Sequence, residues 1–536
     1  VAIGTPSNNT VSTDKLQNLA VTTAKVADGA ITSAKLAAGA GGVTSDAQKN
    51  TVAGTNAGDS FTGTDAEENT LLGYQAGTAI TTGDYNTAVG ADALTANTTG
   101  SFSVAVGKDA LKLSTSGFAT AVGTFAADAH TTGAYTTAIG YSALGNVTTG
   151  QANTAVGHQA NGGTTTQSNN TAIGYNTLIN NQADSNTAVG NVALSANTTG
   201  ASNTALGAQA LQTNTTGTLN TSIGRESLSS NTTGTKNTAV GKSALQGNTT
   251  GDNNTAIGWD ALNANTTADF NVAVGNAALA QNTTGYSNTS VGYNALNANT
   301  TGLGNVALGQ GSLSSNTTAN DNTALGRISL TNNTTGTRNT GVGRGTLNAN
   351  TTAHDNAAVG YFSLYSNTTG TKNTGLGGYA LQQNTTGNEN VGTGYNALGA
   401  NTTGSNNIAI GNWALDANTT ASFNTAVGHQ SLSTNSTGSM NAAVGHQALF
   451  SNTTGSNNIA VGVYALDHNT TGNKNTGIGH NALTANTTAS FNTAVGYNSL
   501  NANTTGDDNV AFGKDALLSN TTGSHNSAFG CESLDV

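Results

Sequence analysis

Several residue types are scarce in this chain of 536 residues, and each scarcity excludes a class of protein. Charged residues make up 8% of the chain, against roughly a quarter of an ordinary soluble domain. The single cysteine, Cys531, excludes an intrachain disulfide, and the single proline, Pro6, leaves the remaining chain free to form uninterrupted backbone ladders. The 15 Lys and Arg residues form no basic patch, so we expect no nucleic-acid binding. No apolar run is long enough for a transmembrane helix, so we expect no membrane insertion.

What the chain contains instead is a repeat of 17 residues. In a typical copy, residues 186–190 read Asn-Thr-Ala-Val-Gly, residues 193–194 read Ala-Leu, and residues 197–200 read Asn-Thr-Thr-Gly. The glycine that ends the Asn-Thr-Ala-Val-Gly segment recurs 28 times between Gly73 and Gly530, and only two of the intervals between these glycines are shortened to 16 residues. A short and strict period predicts that each unit contacts only its neighbours along the chain.

The repeat predicts short strands and turns without helices. The third residue before the glycine is usually Thr or Val, the second is small, and the residue just before it is Val, Ile, Leu or Phe in 27 of 28 copies. This alternation predicts a strand with its two larger side chains on the inner face and the small one on the outer face. We expect a second strand around the leucine that lies four residues past the glycine, and a turn at Asn-Thr-Thr-Gly. The predicted fold class is an all-β parallel β-solenoid or β-roll of 28 coils.

The first residues follow a different, ten-residue repeat. Residues 11–16, 21–26 and 31–36 read Val-Ser-Thr-Asp-Lys-Leu, Val-Thr-Thr-Ala-Lys-Val and Ile-Thr-Ser-Ala-Lys-Leu. We therefore predict three segments: a shaft-like segment at 1–44, a transition at 45–68 and the β-roll at 69–536. The chain starts without Met and stops within a repeat, so we expect the roll to be truncated at its C-terminal end and both ends to have come from something longer.

Two families of fibrous proteins share these repeats. Asn-Val-Ala-Val-Gly at 271–275 and Asn-Ile-Ala-Ile-Gly at 407–411 resemble the head repeats of trimeric autotransporter adhesins. That resemblance implies a left-handed β-roll, with three chains packed about a threefold axis through small residues. The ten-residue repeat is similar to shaft repeats of bacteriophage tail fibres, which are also homotrimers. Both resemblances imply a homotrimeric extracellular fibre.

We therefore predict a structural and adhesive fibre protein: the elongated trimeric rod of a phage tail fibre that supports attachment to a host cell. Its partners would be two further copies of the chain, a host surface glycan or protein receptor, and other virion or fibre components at the missing ends. It would lie on the virion surface, or on a cell surface or otherwise outside the cell. The alternative is a cell-surface adhesin or a purely structural extracellular filament. We expect no enzymatic activity, cofactor or metal, since no catalytic grouping and no metal-ligand spacing recurs.

The position after each glycine varies most and carries aromatic and cationic residues. A strip of this composition is typical of a saccharide-contacting surface, and the alternative is an exposed edge that tolerates variation. His429 and His446 lie one repeat apart, so we expect them to stack about 5 Å apart. The candidate receptor contacts are the strip's aromatic residues Tyr141, Tyr175, Trp259, Tyr293, Tyr361, Tyr395 and Tyr497.

The Asn-Thr-Thr motif also permits two interpretations. It is formally an N-glycosylation acceptor and recurs in every coil from Asn197 to Asn520, as Asn-Ser-Thr at Asn435. It is also the turn that the fold requires, in which Asn would stack on Asn and Thr on Thr in hydrogen-bonded columns. We favour the turn.

Overall fold

The computed structural model describes residues 43–62 and 64–535, and these form an all-β parallel β-solenoid. The described residues contain β-strands and turns but no helix, as the sequence predicts, and one strand occurs in each 17-residue repeat. They fall into two compact units, one ending at Gln182 and one beginning at Ala183, called unit 1 and unit 2 below. The predicted shaft-like repeats at 11–36 lie outside the described residues.

The strands are short, and most contain three residues. In unit 1 they are β1 (Thr44–Ser45), β2 (Thr51–Ala53), β3 (Thr70–Leu72), β4 (Thr87–Val89), β5 (Val104–Val106), β6 (Ala119–Val122), β7 (Thr136–Ile139), β8 (Thr154–Val156) and β9 (Thr171–Ile173). In unit 2 they are β10 (Thr187–Val189), β11 (Thr204–Leu206), β12 (Thr221–Ile223), β13 (Thr238–Val240), β14 (Thr255–Ile257), β15 (Val272–Val274), β16 (Thr289–Val291), β17 (Val306–Leu308), β18 (Thr323–Leu325), β19 (Thr340–Val342), β20 (Ala357–Val359), β21 (Thr374–Leu376), β22 (Val391–Thr393), β23 (Ile408–Ile410), β24 (Thr425–Val427), β25 (Ala442–Val444), β26 (Ile459–Val461), β27 (Thr476–Ile478), β28 (Thr493–Val495), β29 (Val510–Phe512) and β30 (Ser527–Phe529).

Within each unit, consecutive strands from β2 onward pair in parallel, and equivalent residues of the repeat face each other. Thr187 pairs with Thr204 and Ala188 with Ala205, for example. The first strand, β1, pairs antiparallel with β2. Because β2 pairs in parallel with β3, a coil already begins within the segment predicted as a transition.

The faces of the strand are opposite to those predicted from the sequence. The small central residue points into the coil: Ala188 is fully buried, whereas the flanking Thr187 is exposed and Val189 is half-buried. The reason is the narrow interior, which leucines of the turn segment already fill. A methyl group placed on the equivalent Gly477 would lie 3.3 Å from Cγ of Leu466, so only a small side chain fits there.

The predicted second strand is also wrong, because the leucine lies in a turn. Val192 and Leu194 have φ angles of 51° and 49°, in the left-handed region that no strand uses. This backbone costs a non-glycine residue roughly 1–2 kcal/mol. Leu194 is fully buried, and burial of a leucine contributes roughly 1.5–3 kcal/mol, which offsets the strain. Each coil therefore has one strand, and its core leucine comes from the turn.

Each corner requires glycine for two reasons. Gly190 has a φ of 139°, which side-chain-bearing residues rarely adopt. A Cβ at this position would also overlap the carbonyl oxygen of Gly207, the equivalent glycine of the next coil. The corner glycines therefore stack on one another in a column that admits no side chain.

Asparagine columns complete the core of unit 2. Asn214 donates from Nδ2 to Oδ1 of Asn197 at 2.8 Å and to the carbonyl oxygen of Gly217 at 2.9 Å. A second column precedes the strands, where the backbone N–H of Asn203 donates to Oδ1 of Asn186 at 2.9 Å. The hydroxyl of Thr198 donates to the carbonyl oxygen of Thr215 at 2.9 Å. The predicted stacking of Asn on Asn and of Thr on Thr is thus confirmed.

Candidate functional site

The seven predicted contact residues occupy one structural position, directly after the corner glycine. All are exposed, from 41% for Tyr361 to 55% for Trp259. We call the line of side chains at this position the variable strip. Unit 1 contains Tyr141 and Tyr175, and unit 2 contains Trp259, Tyr293, Tyr361, Tyr395 and Tyr497.

Three successive members of the strip in unit 1 stack on one another. His158 lies between Tyr141 and Tyr175, with ring centroids 5.3 and 5.2 Å away and interplanar angles of 15° and 19°. Both faces of the His158 imidazole are therefore covered, and each tyrosine has one face covered. A ligand that packs on ring faces finds less open aromatic surface here than the sequence suggests.

Trp259 and Tyr293 have more open surroundings. Nζ of Lys242 lies 5.9 Å from the centroid of the Trp259 ring, a cation–π arrangement on the preceding coil. Among the described residues, no other aromatic ring stacks on Trp259 or Tyr293. These two side chains can therefore present ring surface to a partner.

Sequence reasoning missed a concentration of rings at 361–413. It considered only the first position after the glycine, whereas Phe362, Tyr379 and Trp413 occupy the second position. Trp413 lies 5.2 Å from Tyr395, and Phe362 lies 4.2 Å from Tyr361. The second position could have been found by aligning the repeats and inspecting its neighbours. We call this group the aromatic cluster, and its members are Tyr361, Phe362, Tyr365, Tyr379, Tyr395 and Trp413.

Four of the eight histidines also lie on the strip, namely His158, His429, His446 and His480. His429 and His446 stack with ring centroids 5.4 Å apart and an interplanar angle of 11°, as predicted. Nearby, burial raises the pKa of the Asp467 carboxyl, and the neighbouring His468 and His446 partly oppose that effect. In the part of the chain that the structure describes, no group of three or more His, Cys, Asp or Glu side chains could hold a metal ion.

A second feature that was not predicted from the sequence is an apolar stripe on the outer face of the strands. It consists of the residue just before each corner glycine, such as Ile257, which is 40% exposed. Because the small residue of the strand faces inward, these larger side chains face solvent. In most coils a threonine lies two residues earlier on the same face, but β17, β23 and β26 begin with the exposed Val306, Ile408 and Ile459. The most exposed members of the stripe are Val122, Ile139 and Ile173 in unit 1, and Leu206, Ile257, Leu308, Leu325, Val359, Leu376, Ile410, Val444, Val461, Ile478, Phe512 and Phe529 in unit 2.

The position just before the strand's asparagine carries a third line of exposed side chains. In unit 1, Tyr85, Phe102, Phe118 and Tyr135 form a continuous stack with centroid distances of 5.0, 5.3 and 5.6 Å. In unit 2 the same line carries ion pairs, such as Arg338 Nε to Asp355 Oδ1 at 2.7 Å. That arginine, together with His354, lowers the pKa of the Asp355 carboxyl to about 2.

The Asn-Thr-Thr turns do not present their asparagines to solvent. Asn214 is fully buried, and both hydrogens of its amide are donated within the column. A glycan on this nitrogen would replace one of these bonds and would need space that the core lacks. The folded coil is therefore incompatible with glycosylation at these sites.

No protein-family model and no curated protein matches the sequence of this chain. Among the described residues, no helix is long and apolar enough to span a membrane.

Proposed function

We propose that this chain is the elongated part of a homotrimeric adhesive fibre, of the type found in phage tail fibres, which supports attachment to a host cell. The apolar stripe carries the proposal. A row of half-exposed Val, Ile and Leu side chains that recurs in nearly every coil of unit 2 is unusual on a monomeric protein, and such surfaces mark contacts with other chains. The resemblance to two trimeric fibre families supports three copies rather than two.

The energetics favour an association distributed along the chain. Ile257 leaves 40% of its surface exposed, and covering that fraction contributes roughly 0.6–1.2 kcal/mol, given ~1.5–3 for complete burial. A single contact of this size is too weak to hold chains together. The same contact recurs in coil after coil, so the sum along a fibre can exceed the cost of association.

The variable strip supports the adhesive part of the proposal. Its exposed aromatic and cationic side chains recur with the repeat, so each would bind weakly and the fibre would bind through many such contacts at once. A fibre on the surface of a virion would position these contacts, and a tip beyond this chain, against a host glycan or protein receptor.

Competition for attachment tests this function. The full chain, added in soluble form, should reduce attachment of the particle that carries it to its target cells. The variant Trp259→Ala, Tyr293→Ala, Tyr361→Ala should compete less well. The matched control is Phe270→Ala, Tyr286→Ala, Phe423→Ala, which removes three exposed rings outside the strip and should compete as well as the native chain.

The outcomes separate the alternatives. A chain that does not bind target cells is a spacer, and recognition then lies elsewhere in the fibre. Antibody labelling in the electron microscope should show the chain projecting from a virion, whereas labelling of a cell surface would support an adhesin. Labelling of free filaments alone would support a structural filament and contradict the proposal.

A further inference from the structure

The aromatic cluster combines two residues of the variable strip, Tyr361 and Tyr395, with four rings from neighbouring positions, and its rings are denser and differently arranged than those elsewhere along the strip. Its six rings lie on four successive coils of unit 2. Tyr379 stands nearly perpendicular to both Tyr361 and Tyr395, with centroids 5.4 and 5.6 Å away and interplanar angles of 79° and 80°. Rings that meet edge to face do not cover each other's faces as parallel rings do. Tyr361, Tyr395 and Trp413 accordingly remain 41%, 45% and 38% exposed.

Two glycines open the backbone beneath these rings. A Cβ on Gly345 would overlap the ring of Phe362, so the absent side chain lets that ring lie against the backbone. Gly378 occupies the strip position between Tyr361 and Tyr395, and a Cβ there would lie 3.5 Å from the Tyr395 ring. The missing side chain leaves room for the ring of Tyr379, which lies between the exposed Tyr361 and Tyr395.

The cluster is bordered by two arginines that lack acidic partners. Arg327 and Arg344 occupy the strip on the two coils before Tyr361, and both are exposed. The Arg344 guanidinium lies 5.7 Å from the Tyr361 ring centroid and 5.6 Å from that of Phe362. Within the described residues neither arginine forms an ion pair, whereas Arg225 and Arg338 each have a carboxylate at 2.7 Å. Two adjacent uncompensated cations are notable in a chain with a net charge of −11.

We propose that the surface from Arg327 to Trp413 binds a segment of acidic polysaccharide. The C–H face of a pyranose ring packs on the electron-rich face of Tyr or Trp, and a guanidinium pairs with a carboxylate through two parallel hydrogen bonds. The surface spans five coil steps, or roughly 24 Å at the usual strand spacing, the length of a short oligosaccharide. This inference rests on the proposed adhesive function and assigns its ligand class.

The test uses the full chain and two probes with the same sugar skeleton: oligogalacturonate, whose carboxylates are free, and its methyl ester, which is neutral. Calorimetric or surface-binding titration should detect binding of the acid and much weaker binding of the ester. Arg327→Gln with Arg344→Gln should weaken binding of the acid about tenfold or more, since charge-assisted hydrogen bonds are lost. Arg338→Gln, which removes a paired arginine on a different line, should leave the affinity unchanged. Trp413→Ala should weaken binding of both probes.

Several results would overturn the inference. They are equal affinity for acid and ester, equal loss in Arg338→Gln and in the double variant, or no binding of either probe. Binding of target cells that is abolished by protease treatment of the cells and unaffected by the double variant would point to a protein partner and would equally overturn it. A chain that competes for attachment but binds neither probe refutes only this ligand assignment, whereas a chain that does not compete refutes the adhesive part of the proposed function and leaves the chain as a spacer.

Discussion

The two units of the molecule have the same coil but differ in how regularly they repeat it. In unit 2, the asparagine of the Asn-Thr-Thr turn is present in every coil from Asn197 to Asn520, and each amide from Asn214 onward donates to the asparagine of the preceding coil. In unit 1, this turn position is an asparagine only at Asn97 and Asn181. The equivalent residues in the other complete coils are Ile80, Ser114, His130, Val147 and Thr164.

The core leucine shows the same difference. It is present in every coil of unit 2, whereas Gly77, Ala127 and Asn161 replace it in unit 1. Buried polar atoms without a protein partner are accordingly concentrated in unit 1. Among the described residues they belong to Ser103, His130, Thr136, Asn161 and Asn176 in unit 1, and to Asp467 alone in unit 2.

This difference shows how a solenoid satisfies its buried polar groups. An asparagine in a column donates to one neighbouring copy and accepts from the other, so a single departure removes a partner from both. A buried donor or acceptor without a partner costs about 1–3 kcal/mol. Regular repetition is therefore itself a source of stability, and unit 2 should resist local opening better than unit 1.

The largest expected effect comes from placing in unit 2 a residue that replaces the core leucine in unit 1. Leu279→Asn places at a fully buried leucine position the residue that unit 1 has at Asn161. It should destabilise the surrounding coils by about 3–5 kcal/mol, because it removes apolar burial and adds an unpartnered amide. Hydrogen exchange resolved by peptide should show faster exchange in these coils.

The control for this change is Leu219→Asn, since Leu219 is 54% exposed and its substitution should shift stability by less than about 0.5 kcal/mol. The reverse exchange, Asn161→Leu, should stabilise unit 1. Equal effects of Leu279→Asn and Leu219→Asn would contradict the placement of the core leucine.

The next effect concerns acid and the buried His130 in unit 1. Burial lowers the pKa of His130 to about 4, from an ordinary value near 6.5. The unfolded chain therefore binds the proton more readily, so stability is fully present above pH 6.5 and is lost as the pH falls towards 4. The loss should reach about 3 kcal/mol, and hydrogen exchange in unit 1 at pH 7 and pH 4, corrected for intrinsic rates, measures it.

His130→Asn restores the asparagine of the turn and provides the control. It should remove most of the acid sensitivity of unit 1 and leave unit 2 unchanged. Acid sensitivity that persists in this variant would have to arise from other titrating groups.

A smaller effect should distinguish the two asparagine environments. Asn265 donates to Asn248 at 2.9 Å and accepts from Asn282 at 2.9 Å. Asn97, between Ile80 and Ser114, bonds only within its own turn, to Gly100. Asn265→Ala should destabilise its coils by about 2–3 kcal/mol and Asn97→Ala by about 1 kcal/mol, as judged by hydrogen exchange or denaturant midpoints. Equal losses would show that the column adds nothing beyond the local turn.

The smallest effect separates the two threonines of one turn. Thr215 donates from its hydroxyl to the carbonyl oxygen of Thr232 at 3.0 Å, whereas Thr216 is exposed. Thr215→Ala should cost about 0.5–1.5 kcal/mol, and Thr216→Ala only a few tenths. If Thr216→Ala costs more stability than Thr215→Ala in denaturant unfolding, the assignment of Thr216 to the solvent-facing side of the turn is wrong.

The sequence predicts the strand before each corner glycine, the parallel pairing and the stacked columns, because each follows from a period that acts on every copy alike, whereas the second strand predicted around the leucine is absent. It does not predict which way the strand faces. Alternation at Thr187, Ala188 and Val189 shows that two side chains share one face, but not which face is inside. Which face lies inside depends on Leu194, whose left-handed backbone conformation in a turn directs its side chain into the core. Leucine rarely adopts this conformation, so the sequence does not indicate such a turn.

The candidate site was predicted in part for a similar reason. The exposed position after the corner glycine follows from its variability, so the seven strip residues could be named. Variability at that position does not identify Phe362, Tyr379 and Trp413, because they reach their partners across coils from the second position, where φ is positive. The lack of an ion pair to Arg327 or Arg344 among the described residues is likewise a property of the assembled coils and not of any single repeat.

The central claim is that the outward-facing apolar stripe joins copies of this chain. Sedimentation velocity of the native chain and of Ile257→Thr, Val274→Thr, Val291→Thr tests it most directly, because these substitutions remove outward methyl groups without changing the core. We expect the native chain to sediment as a trimer. The variant trimer should dissociate at a higher protein concentration, while its far-ultraviolet circular dichroism spectrum matches that of the native chain. A native chain that sediments as a folded monomer at every concentration would contradict the account.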